Sequence, residues 1–126
     1  MGDSLPSVSD AELALLKVLW KHGPANVRQV RARLKGRKWA YNTVLTLLTR
    51  LREKGYASSE RDGQTLVFKA CVSRQDLLRL RLTELVDEVC DGTASPLVHA
   101  LVQGQQFSQE ELEQLRRMLD ELEPLE

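Results

Sequence analysis

The order of local patterns in the first 71 residues constrains the fold more than any other feature. Three segments with apolar residues at helical spacing are followed by two short alternating runs around Asp62-Gly63, a dipeptide typical of hairpin turns. Ser9, with Glu12 three residues later, predicts the start of the first helix, and Asn26 predicts the start of the second. Three helices followed by a hairpin predict a winged helix-turn-helix.

The third helical segment, AYNTVLTLLTRLREKG, sorts its side chains onto two chemically different faces. One face is apolar and carries Val44, Leu47, Leu48 and Leu51. The opposite face is polar and carries Asn42, Thr43, Thr46, Thr49 and Arg50. Because an α-helix fits the DNA major groove, we expect Asn42, Thr43 and Thr46 to reach base edges. Arg50 lies further along the helix and is expected to reach phosphate or guanine.

Charge divides the chain into two opposite halves, although its net charge is zero. Residues 1–70 carry 13 Lys+Arg and 6 Asp+Glu, whereas residues 71–126 carry 5 and 12, so the halves have net charges of +7 and −7. This asymmetry indicates a basic part that meets a polyanion and an acidic part with another role, such as self-association. The side chains expected to neutralise the DNA backbone are Arg28, Arg31, Arg37 and Lys38. Those expected to hold flanking phosphates from the hairpin are Arg61, Gln64 and Lys69. The alternative is a solvated basic face, which the polar third helix and the hairpin argue against.

Residues 72–126 are predicted to form a helical dimerisation region after a DNA-binding domain of residues 1–71. A long helix follows Ser73, a short one begins at Ser95-Pro96, and Ser108 with Glu111 forms a capping box before a leucine seam at 3-4-3 spacing. The fold class is therefore mostly α with a small β-hairpin wing. The leucines expected at a two-fold interface are Leu77, Leu80, Leu85, Leu97, Leu101, Leu115, Leu119 and Leu122.

Residue types that support catalysis or metal binding are sparse. Cys71 and Cys90 are expected to be free thiols. His22, His99 and Cys90 match no metal-ligand spacing, so we expect neither a metal nor a cofactor. No nucleophile with a matching base is visible, which argues against an enzyme. The sequence shows no signal peptide and no apolar run long enough for a membrane span, so a cytoplasmic location is expected.

Three strings carry a resemblance that extends over nearly the whole chain: SDAELALLKVLW, WAYNTVLTLLTRLREKG and SPLVHALVQGQQFSQEELEQLRRMLDEL. They resemble the BlaI/MecI/CopY family of penicillinase and copper-homeostasis repressors, most specifically in the block from Trp39 to Gly55. The resemblance implies a homodimeric transcriptional repressor on an inverted-repeat operator with TACA/TGTA-type half-sites. It also places recognition contacts at Asn42, Thr43, Thr46 and Arg50. Leu45 stands where relatives often carry a charge, so it either shifts base preference toward thymine methyls or drops a phosphate contact.

The resemblance indicates the inducing signal less directly, because the two branches of the family respond to different signals. In the β-lactam branch, a membrane sensor-protease cuts the repressor, commonly at an Asn-Phe bond, and the matching place here reads Ala100-Leu101. Cleavage in this region is therefore a hypothesis, with a membrane-bound sensor metalloprotease as partner. The copper branch uses a C-terminal C-x-C pattern that is absent after Cys90. Two alternatives stay open: a winged-helix protein-interaction module, and a repressor released by a small ligand or a thiol or metal switch.

Overall fold

The computed structural model describes residues 5–122, which form helices and one small antiparallel sheet, as the sequence predicts. The elements are α1 (Asp10–His22), β1 (Ala25–Asn26), α2 (Val27–Arg33), α3 (Tyr41–Lys54), β2 (Ala57–Asp62), β3 (Thr65–Ala70), α4 (Arg74–Val89), α5 (Ser95–Gly104) and α6 (Gln109–Glu121). The chain divides into two compact units, the first ending at Arg81 and the second beginning at Leu82. The division therefore falls within α4.

Helix starts in the first unit follow the capping residues predicted from the sequence. Glu12 N–H donates to Ser9 Oγ over 3.1 Å, and Ser9 N–H donates to Glu12 Oε1 over 2.9 Å. Asn26 and Gln29 form the same reciprocal pair at the start of α2, with both distances 2.9 Å. These bonds satisfy amide groups that the first helical turn leaves without partners.

Gly55 ends α3 in the left-handed region, with φ of 93°. This conformation favours glycine, and a Cβ atom here would also lie only 3.2 Å from Leu5 Cδ2, a contact that needs a small shift of that side chain. The turn at Gly55 connects α3 to β2 with only two residues between them. The predicted helix end is confirmed.

The sheet has the strand order β1-β3-β2, with both pairings antiparallel. β2 and β3 form the predicted hairpin, the wing, in which Asp62 pairs with Thr65 at the tip. β1 was not predicted, because a strand of two residues has no measurable periodicity. It exists through its pairing with β3, where Ala25 lies opposite Phe68, and it joins the α1–α2 connection to the wing.

The core of the first unit holds α3 by its apolar face. Val44, Leu48 and Leu51 are fully buried and Leu47 is nearly so, as the helical spacing predicts. They pack with apolar side chains of α1, α2 and β3 that include Leu15, Leu16, Val30 and Phe68. Burying one face of α3 fixes the opposite face toward solvent.

An N-terminal segment, residues 5–9, is held by side chains from α3, from the turn after α3 and from α4. Lys54 Nζ donates to Ser7 O at 2.9 Å and to Glu12 Oε1 at 2.7 Å, Tyr56 Oη donates to Pro6 O, and Arg81 donates to the carbonyl of Val8. Burial raises the pKa of Glu12, but hydrogen bonds from Lys54 and the Ser9 backbone outweigh it, so the pKa lies below its ordinary value.

The second unit contrasts with the first in burial. Between Leu82 and Leu122, the described residues include none that is buried. Exposed large apolar side chains instead lie along its helices: Leu82, Leu85, Val89, Val98, Leu101, Val102, Leu115, Met118, Leu119 and Leu122. Among the helices of residues 5–122, none combines the length and apolarity that crossing a membrane requires.

Candidate nucleic-acid interface

The exposed side of α3 brings together the four side chains expected to contact bases. Asn42, Thr43, Thr46 and Arg50 are exposed and line one shallow depression with Leu47. Within residues 5–122, none of the four makes a side-chain hydrogen bond or ion pair to another residue. We call these four residues the reader face. Their donors and acceptors point outward from a helix that the core holds on its other side, which is the arrangement needed for groove contacts.

A second concavity lies between α2, α3 and the wing. This wing cleft has a volume of about 200 Å³, and its lining includes Arg28, Tyr41, Leu45, Arg61, Gln64 and Leu66. Arg28 and Arg61 are exposed, and neither has an ion-pair partner among the described residues. The structure thus brings one expected phosphate contact from α2 and one from the wing to the same cleft.

Tyr41 is a lining residue that sequence reasoning missed. It is the first residue of α3, its side chain is 42% exposed, and it also lines a neighbouring hollow with Arg28 and Arg31. Its position four residues before Leu45 puts both on one flank of the helix. The i, i+4 spacing of Tyr41 and Leu45 was the available signal in the sequence.

Two other basic side chains expected at phosphates contact the connection between α2 and α3. Arg31 Nε donates to Trp39 O at 2.8 Å, and the Arg37 guanidinium lies 4.8 Å from the centroid of the Trp39 ring. These contacts brace the segment that sets the angle between the two helices. Lys38 is exposed beside them. The basic connection therefore has a structural role as well as its charge.

Lys69 lies apart from the wing tip, although the sequence grouped it with Arg61. Lys69 pairs with Ser58 in the sheet and lines a different concavity together with Trp20 and Val72. Arg61 pairs with Leu66 next to the turn. The structure brings Arg61, but not Lys69, to the wing cleft.

A separate positive corner forms where α1 and α2 end. His22 is exposed, but partial desolvation lowers its pKa and the nearby charges of Arg33, Lys21 and Lys35 lower it further, which favours the neutral imidazole. His22 is the last residue of α1. In the part of the chain that the structure describes, no group of three or more His, Cys, Asp or Glu is placed to hold a metal ion.

The leucines expected at a dimer interface are in three environments. Leu85, Leu101, Leu115, Leu119 and Leu122 are exposed, whereas Leu80 and Leu97 are half-buried. Leu77 is only 5% exposed and packs in the core of the first unit. Because Leu77 is buried within its own chain, it has little surface left to contact a second copy and is not part of the interface proposed below. Ala100 and Leu101 lie exposed in α5.

Comparison with known proteins assigns the family. The sequence model of the penicillinase repressor family matches residues 8–121. The chain belongs to the penicillinase repressor family. It is 30% identical to the penicillinase repressor of Bacillus licheniformis over 118 residues, covering 93% of this chain and 92% of that one. It is 26% identical to the methicillin resistance regulatory protein MecI of Staphylococcus aureus over 121 residues, covering 95% and 98% of the two chains.

A solved structure supports the winged-helix fold within this family. The solution structure of the DNA-binding domain of the repressor BlaI aligns with 57% of this chain and 89% of that domain, at 36% identity and a TM-score of 0.52. Members of the penicillinase repressor family are DNA-binding transcriptional repressors, a class without enzymatic activity of its own. The expected family and fold class are confirmed.

Proposed function

We propose that this chain represses transcription by binding an inverted-repeat operator as a homodimer, with the reader face of α3 in the major groove. The observation that carries the proposal is that face: Asn42, Thr43, Thr46 and Arg50 are exposed together on a helix whose opposite face is locked in the core. A helix held in this way presents its polar atoms in fixed positions, which sequence reading requires. Base contacts by these residues give the operator preference.

The electrostatics of the first unit support a duplex as the partner. Residues 1–70 have a net charge of +7, and Arg28, Lys38 and Arg61 are exposed, with Arg28 and Arg61 lining the wing cleft beside α3. Phosphate contacts of this kind supply affinity and orientation without sequence information. We therefore expect binding to weaken steeply as salt is added.

The second unit supports self-association. The 71–126 half has a net charge of −7, which keeps it from competing for DNA. Large apolar side chains are exposed along α4, α5 and α6: Leu82, Leu85, Leu101, Leu115, Met118 and Leu119. Apolar rows of this extent are favourable only when something covers them. A second copy covers them symmetrically, and a two-fold dimer matches an inverted repeat with half-sites about 34 Å apart.

Selection from a random duplex pool tests the operator proposal. We expect the purified full chain, at moderate salt, to recover an inverted repeat with TACA/TGTA-like half-sites. Binding without any recovered motif would contradict sequence-specific repression. Salt-insensitive capture of a protein partner in place of duplexes would favour the winged-helix protein-interaction module.

The Thr46→Ala variant tests base reading within this proposal. We expect its affinity for the selected operator to fall about tenfold, since one base contact contributes about 1–3 kcal/mol, with little change on a scrambled duplex. Thr83→Ala is the matched control, because Thr83 is also an exposed helical threonine but lies in α4. Equal losses on both duplexes would assign Thr46 to the backbone instead of a base.

Relief of repression is proposed to follow cleavage in α5 by a membrane-bound sensor metalloprotease. Ala100 and Leu101 are exposed, so the segment is accessible, although the helix must open locally before a protease can bind it as an extended chain. Incubation with an activated sensor and mass analysis of the fragments tests this. An intact chain that still leaves its operator upon oxidation would favour a switch at Cys71 or Cys90.

A further inference from the structure

The wing cleft differs chemically from the reader face, although α3 contributes residues to both. Its floor is apolar: Leu45 and Leu66 are half-buried, and Tyr41 exposes 42% of its side chain. Arg28 and Arg61 also line the cleft, as do the polar side chains of Asn26, Gln64 and Thr65. An apolar floor between two guanidinium groups fits a ligand that alternates apolar and anionic parts.

Helical geometry separates the cleft from the bases. Tyr41 and Leu45 are spaced four residues apart and share one flank of α3, whereas Asn42 and Thr46 lie about 100° further around the helix. When the reader face meets base edges, the flank toward the wing meets the wall of the groove. That wall is formed by the sugar–phosphate backbone of one strand.

We propose that the wing cleft holds one sugar–phosphate segment of the operator strand, with a deoxyribose on Leu45, Leu66 and the Tyr41 ring. The flanking phosphates lie on Arg28 and Arg61. Two arguments favour this occupant. The two arginines complement the charge of the phosphates, and Tyr41 and Leu45 adjoin the reader-face residues in the same helix. The inference rests on the proposed function.

This assignment gives Leu45 a role that differs from reading thymine methyls. A contact with deoxyribose is the same for every base, so Leu45 contributes affinity without sequence preference. It is also apolar, so it releases no counterions and does not alter the salt dependence of binding. Leu45, Thr46 and Arg28 should therefore each give a different signature when mutated.

Binding measurements on the selected operator and on a scrambled duplex test these signatures. We expect Leu45→Ala and Tyr41→Ala to lose about fivefold affinity on both duplexes, with the recovered motif and the salt slope unchanged. Tyr41→Phe keeps the ring and should bind like the wild type. Arg28→Ala should instead reduce the salt slope by about one unit, as expected for one phosphate contact.

Val67→Ala is the matched control for the floor, because Val67 is half-buried on the same strand as Leu66 but points to the other face of the wing. It should bind both duplexes like the wild type. Circular dichroism and thermal unfolding establish that each variant is folded. A floor variant that binds like wild type, or one that changes the recovered motif, would overturn the proposal.

Modified duplexes test the same contact with the wild-type chain, independent of any folding defect. A scan of single ribonucleotides through one half-site should find a position where the added 2′-hydroxyl lowers affinity about threefold, because it places a polar group on an apolar floor. Leu45→Ala should remove that sensitivity. If uracil in place of thymine reproduces the Leu45→Ala loss instead, Leu45 reads a methyl group and the sugar contact is wrong. Failure of the wild type to select any operator would reject the proposed function itself.

Discussion

The two units of this chain use the same apolar residue types in opposite ways. In the first unit, leucines such as Leu15, Leu16 and Leu48 are fully buried around one core. In the second, leucines such as Leu101 and Leu119 are about half or more exposed, and no residue described between Leu82 and Leu122 is buried. The first unit therefore buries its apolar surface within one chain, whereas the second leaves apolar side chains exposed, which is why we propose that a second copy covers them.

A pair of identical substitutions exposes this difference most strongly. Leu48→Ala should lower the free energy of unfolding of the first unit by about 3 kcal/mol, because it leaves a cavity in a closed core. Leu119→Ala, at a site 65% exposed, should leave that unit's unfolding nearly unchanged and instead weaken self-association. Both tryptophans, Trp20 and Trp39, lie in the first unit, so their fluorescence during urea unfolding reports on it selectively. Equal losses from the two substitutions would contradict the comparison.

Charge placed in the leucine seam of α6 should separate the two functions. Leu115→Glu combined with Leu119→Glu is expected to convert the dimer to a monomer and to reduce affinity for the full inverted repeat about a hundredfold, since linked half-site binding is lost. Affinity for a single half-site should persist, because the first unit is untouched. Sedimentation velocity and binding to full and half operators measure both. A dimer that survives both glutamates would place the interface elsewhere.

The sequence predicted the first unit well because its signals are local. Ser9, Asn26 and Gly55 cap helices through bonds within three or four residues, and the spacing of Val44 to Leu51 follows directly from helix geometry. β1 was missed because it depends on pairing with Phe68, far along the chain. Its two residues carry no pattern of their own.

Partner identity was harder to predict than element position. Helical spacing alone does not distinguish a leucine buried in its own chain from one that meets a second copy, so Leu77 was grouped with interface leucines. Basic composition likewise does not distinguish an arginine that reaches phosphate from one that braces the backbone, as Arg31 does at Trp39 O. Tyr41 escaped notice because its significance comes from Arg28 and Leu66, which only the fold brings beside it.

The finest comparison uses one motif that occurs in both units. The Ser-x-x-Glu capping box opens α1 at Ser9 and α6 at Ser108, with the same pair of hydrogen-bond lengths, 2.9 and 3.1 Å. Glu12 is 2% exposed and pairs with Lys54 at 2.7 Å, whereas Glu111 is exposed. The local motif is identical, so any difference in its contribution arises from tertiary packing.

Glutamine substitution at the two boxes measures that contribution, because glutamine can still cap but carries no charge. Glu12→Gln should destabilise the first unit by about 2 kcal/mol near neutral pH, since a charged hydrogen bond to Lys54 is lost, and Glu111→Gln by less than about 0.5 kcal/mol.

The folded pKa of Glu12 is lowered, so its charge stabilises the fold above the ordinary carboxyl value of 4.5 and loses that effect as pH falls through the folded value. The gap between wild type and Glu12→Gln in urea unfolding should therefore close in acid. The hydrogen bond from the Ser73 backbone amide also lowers the pKa of Asp76, so Asp76 too stabilises the fold less in acid. Asp76 is present in both wild type and Glu12→Gln, so its effect cancels in the difference between them. A gap that stays constant with pH would mean that Glu12 acts by shape and hydrogen bonding and that its charge adds nothing.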